Sequence, residues 1–133
     1  VTIPNAAQAI VGNATTVSPA AAGYLTLFPA GAARPLVASS NYQANQIVNG
    51  PFTVGLSAVG EFNIYTQATT HLVVDVLGYY SDQANDVNGA GLLFNSLSKP
   101  VRLLDTRPGQ TACFTPNARA LSRISAPALA QCS

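Results

Sequence analysis

The segment RLLDTR sets Asp105 between Arg102 and Arg107. A carboxylate flanked in this way has two uses. It can lock neighbouring strands together through bidentate ion pairs, or the guanidinium groups can hold a ligand's carboxylate or a sugar. Asp75 belongs to the same question, because it interrupts the apolar run HLVVDVLGYY. A carboxylate in such surroundings needs a partner, and Arg102 and Arg107 are the candidates. We read Asp75, Arg102, Asp105 and Arg107 as structural ion pairs in preference to a ligand site.

Other reactive side chains are few. His71 is the only histidine. On a strand, Asp75 shares its face but lies about 13 Å away, and no G-x-S-x-G elbow supplies a nucleophile. A hydrogen bond at a strand end is expected of His71, and no catalytic residue is assigned. The loop SDQANDVNG gathers Asp82, Asn85, Asp86 and Asn88 without the spacing of a calcium loop. It reads as a solvated hinge, so no metal and no cofactor are expected. Tyr24, Tyr42, Tyr65, Tyr79 and Tyr80 are the rings available for stacking on a sugar. Tyr79 and Tyr80 are adjacent on a strand and point to opposite faces, so one of them is open to a sugar contact. Asn13 opens an Asn-Ala-Thr glycosylation sequon inside a predicted strand. Cys113 and Cys132 stand alone in a tail rich in Pro and Ala. We expect them to be bonded to each other, a closure worth about 3 kcal/mol in the chain-entropy model, in an oxidising, extracytoplasmic setting.

These residues need a scaffold, and composition bounds it. The chain has 133 residues, enough for one domain with a real core. Charged residues make up only 8%, against about 25% in an average soluble domain. The polar surface is therefore Ser, Thr, Asn and Gln, and the net charge of +1 offers little repulsion between copies. No basic stripe is present to neutralise phosphates, so nucleic acid is not an expected partner. No apolar run reaches the ~18 residues that would span a bilayer. The first residue is Val1, with no basic segment and apolar core after it. We expect a chain processed or cut from something longer.

Strands are predicted over about Ala9 to Val17, over GYLTLFPAG, after the Gly50-Pro51 break in IVNGPFTVGLS, in GEFNIYTQ and in HLVVDVLGYY. ARPLVASSNYQANQ is expected to be extended, with Pro35 favouring an edge or a loop. LLFNSL and PVRLLDTR read as two further strands separated by Lys99-Pro100. The tail from 108 to 133 reads as a short helix or irregular chain. Many short strands with turns between them predict an all-β fold, a single-domain antiparallel β-sandwich of jelly-roll type.

The strings GYLTLFPAG, SNYQANQ, FTVGLSAVGEFNIY, HLVVDVLGYY and RLLDTRPG together resemble a β-rich repeat family of secreted and surface bacterial proteins. That resemblance implies an extracellular or cell-surface location and no catalytic role. In tandem members a segment like RLLDTR opens a unit and one like DVLGYY closes it. Set in that frame, residues 1–133 are circularly permuted. The implied consequence is that the tail packs on a neighbouring subunit. The function expected is a non-enzymatic structural or adhesive protein that joins copies of itself head to tail by strand complementation into filaments or a surface array. The alternative is a carbohydrate-binding module of a secreted protein, with cell-surface polysaccharide as its partner.

Overall fold

The computed structural model of the chain describes residues 3–82, 92–110 and 124–125. Its strands are β1 (Ala7–Val17), β2 (Gly23–Pro29), β3 (Ser40–Tyr42), β4 (Ile47–Gly55), β5 (Glu61–Thr66), β6 (His71–Asp82), β7 (Leu92–Asp105) and β8 (Ile124–Ser125). They form two four-stranded sheets, one in the order β4-β1-β6-β7 and the other β3-β2-β5-β8. Every pairing is antiparallel. The two sheets pack face to face as a β-sandwich. The chain crosses between them at β1–β2, β3–β4, β4–β5, β5–β6 and β7–β8.

Alternation builds the core. In β1 the buried positions Ile10, Gly12, Ala14 and Thr16 alternate with more exposed neighbours. Ile10, Phe52, Val74, Val76, Leu103 and Leu104 from the first sheet meet Leu25, Tyr42 and Phe62 from the second. The Phe52 and Phe62 rings, 6.3 Å apart, span the two layers. Each such side chain contributes about 1.5–3 kcal/mol by leaving water. The buried Tyr42 hydroxyl accepts the Ala68 N–H at 3.0 Å, so its polar end is satisfied.

Three local expectations change. β1 begins at Ala7 rather than near Ala9. β4 runs straight through Gly50 and Pro51. It lies at the end of its sheet, where a proline lacking an N–H is tolerated. LLFNSL and the PVRLLD part of PVRLLDTR lie on one 14-residue strand, β7, which ends at Asp105. The separation predicted at Lys99-Pro100 survives as a register jump: Ser96 pairs with Gly78 and Val101 with Val76, leaving 97–100 without partners on β6. Pro100 cannot donate to the ladder, so the extra residues bulge there. Cys113, Cys132 and all of the tail beyond Gln110 except β8 lie outside the described residues, as do Asn85, Asp86 and Asn88 of the polar loop.

Candidate functional site

The ionic cluster sits on the outer face of the first sheet, and register explains how it gets there. Val74 pairs with Leu104, and both side chains point into the core. Their neighbours Val73 and Asp105, also a register pair, must therefore face outward. A second shift lets Asp75 pair with Arg102 while Leu103 is the extra residue. The bulge points Leu103 inward, fully buried, beside Leu104. It also leaves Arg102 and Asp105 on one face, three residues apart.

The structure brings together all four residues singled out in the sequence. Arg102 Nε donates to Asp75 Oδ1, and Arg102 Nη1 donates to Asp105 Oδ2 at 2.9 Å. Arg107 makes a fork: Nε donates to Asp105 Oδ1 at 2.9 Å and Nη2 to Oδ2 at 2.6 Å. The Arg107 backbone N–H adds a bond to Oδ1 at 3.2 Å. Both oxygens of Asp105 are thus taken, and its side chain is 0% exposed while those of Arg102 and Arg107 are 41% and 38% exposed. The Arg107 bonds hold the Asp105 carboxyl below the usual carboxylate range, at about 2, against the opposing effect of burial. The bond to Asp75 is the main cause of the raised Arg102 pKa. This arrangement ties β7 to β6 across their outer face and fixes the turn that follows β7.

The same strand ends account for His71. Its Nδ1 donates to the Thr106 carbonyl at 3.0 Å. Thr106 also accepts the Leu72 N–H on its hydroxyl at 2.7 Å and donates its own N–H to Leu72 O at 2.9 Å. His71 and Asp75 are therefore engaged by different partners. Asp82 accepts a 2.6 Å bond from Gln8 Nε2, at the rim of an open depression of about 430 Å³ that Asn5 and Ser57 also line. Among the described residues no group of three or more His, Cys, Asp and Glu is placed to hold a metal ion.

The tyrosines separate by face. Tyr42 is in the core, and Tyr79 packs against it. Tyr80 lies outside, 5.4 Å from Phe94 with their planes tilted by 51°. The two rings pack against one another as a tilted aromatic pair. On the second sheet Tyr24 and Tyr65 are 5.7 Å apart at 47°. The Arg34 guanidinium lies 3.8 Å from the centroid of the Tyr65 ring and covers it.

No family model, curated protein or solved structure matches the chain. Its function must therefore be read from its own surfaces. Among the described residues no helix is long and apolar enough to cross a membrane.

Sequence reasoning missed what the edges of the first sheet carry. Leu93 and Phe94 on β7 are 46% and 49% exposed, and Ile47 on β4 is 71% exposed. Leu36, on the loop after β2, is 92% exposed. LLFNSL is apolar and reads as core, and Leu97 from it does pack against the core. Only the strand order shows that LLFNSL ends a sheet.

Proposed function

We propose that the chain is a structural β-domain of an extracellular or cell-surface protein, and that its work is to join copies of itself. The observation that supports this reading is the edge made by β7. Among the described residues nothing pairs with the outer side of this 14-residue strand. Sheet edges are templates for another chain unless guarded by Lys, Pro or bulges. Lys99, Pro100 and the bulge at 97–100 guard the middle of β7. The stretch from Leu92 to Ser96 carries none of these devices and presents Leu93 and Phe94. Meanwhile the charged groups nearby are occupied in holding β6 to β7. With a net charge of +1, copies approach one another without much repulsion.

Sedimentation velocity across a concentration series tests this with two variants. Leu93→Glu should shift the protein towards monomer, because it sets a charge at the unguarded edge. Leu36→Glu removes a more exposed apolar side chain, on the second sheet's side, and should leave the multimers intact. Equal loss in both variants, or loss only in Leu36→Glu, would remove β7 as the joining edge.

A further inference from the structure

The two ends of the first sheet differ in kind, and that difference selects which edges can meet. β4 and β6 run one way, β1 and β7 the other. If two copies lie side by side in the same orientation, β7 of one therefore runs antiparallel to β4 of the next. The sheet then continues without a break in its alternation of direction. A contact of this kind uses two different surfaces, does not close on itself, and propagates.

The alternatives each carry a conflict. Pairing β4 with β4 about a two-fold axis turns about the middle of a nine-residue strand, Ile47 to Gly55, and that middle residue is Pro51. Two residues without an N–H would face one another at the centre of the ladder. Pairing β7 with β7 along its length turns about a point between Ser98 and Lys99. This brings Lys99 from both copies together at the axis, and like charges across a ladder destabilise it. β4, with the sequence IVNGPFTVG, carries no charge. It can lie beside Leu92–Ser96 without that repulsion.

The faces also agree. Phe94 pairs with Tyr80, which pairs with Ala9, and Thr53 pairs with Val11. All of these lie on the outer face, since Ile10 and Val54 between them are core residues. A register that sets Phe94 opposite Thr53 keeps inner and outer faces continuous from one copy to the next, and it sets Pro51 opposite Ser96, so a single proline meets the ladder there and not two. Resting on the self-joining reading above, we propose that the seam is β7 of one copy against β4 of the next, with the unguarded stretch Leu92–Ser96 as its starting contact.

The seam can be mapped by photo-crosslinking. A benzophenone-bearing side chain at the exposed Ser96 is introduced into the full chain. Heavy-nitrogen copies are mixed with unlabelled ones, the assembled fraction is irradiated, and mixed-label adducts are located by mass spectrometry. The expected result is adducts between Ser96 and the peptide containing residues 47–55 of a second copy. Multimers whose adducts join Ser96 to residues 92–105 of the second copy would mean a closed pair and would overturn the seam alone. Multimers with adducts only within one chain would likewise overturn the seam, showing that this edge is covered by the chain itself. A protein that forms no multimers under any condition would overturn both the seam and the self-joining reading beneath it.

Discussion

Asp105→Asn should lower the melting temperature by on the order of 10 °C, the largest effect expected from any single polar substitution in the described residues. The carboxylate takes four hydrogen bonds from two arginines and its side chain is fully buried. An amide of the same shape turns one acceptor into a donor facing guanidinium donors. Bonds to charged groups are then lost and two half-exposed cations are left close together. We expect a cost of about 3 kcal/mol, and about 3–4 °C for each kcal/mol in a domain of this size. The acid behaviour of the unaltered protein provides a second check. The folded carboxyl titrates near 2, below its ordinary value of 3.8. Its contribution is therefore complete above about pH 4 and falls away as the pH drops towards 2. Asp105→Asn should flatten the corresponding part of the acid-unfolding curve. An unchanged melting temperature and acid curve would mean that the cluster does not hold the strands, and would return it to the list of ligand sites.

Gly12→Ala should be comparably damaging, though it adds only a methyl group. Gly12 lies on β1 between Phe52 of β4 and Val76 of β6. A Cβ there would collide with the Asp75 carbonyl oxygen and meet the Phe52 ring at 2.8 Å. The carbonyl belongs to the β-ladder and cannot swing away. The ring packs on Phe62, so its displacement disturbs the contact that joins the two sheets. Overpacking of this kind costs about 3 kcal/mol. Chemical denaturation should show a lower midpoint with an unchanged slope if the variant keeps the same fold. A midpoint equal to that of the unaltered chain would show that β4 relaxes away from β1 freely, and would weaken the case for β4 as a firm edge.

The sheet content was legible because β1, GEFNIYTQ and HLVVDVLGYY are rich in β-branched and aromatic residues between turn residues. The register jumps were not. LLFNSLSKPVRLLD reads as two strands because Pro100 interrupts it, and only pairing with β6 shows that both halves lie on one path. Gly50-Pro51 reads as a break for a related reason. Proline is excluded from a central strand and tolerated at an edge, and edge position is a property of the sheet and not of the segment. The four members of the ionic cluster could be named from residue type. That Asp105 is wholly covered while both arginines stay half-exposed follows from the bulge at Leu103, which leaves no mark in the sequence. The exposed pair Leu93 and Phe94 was hidden most completely. An apolar string looks like core until the strand order places it at the rim.

The central claim is that this domain joins its own kind, and its most direct test is the mass of the intact chain in solution. Sedimentation velocity and negative-stain microscopy at rising concentration, near neutral pH and moderate salt, should show a ladder of multimers that lengthens with concentration, extending to strings of regularly spaced units. A single monomeric species at every concentration would contradict the account.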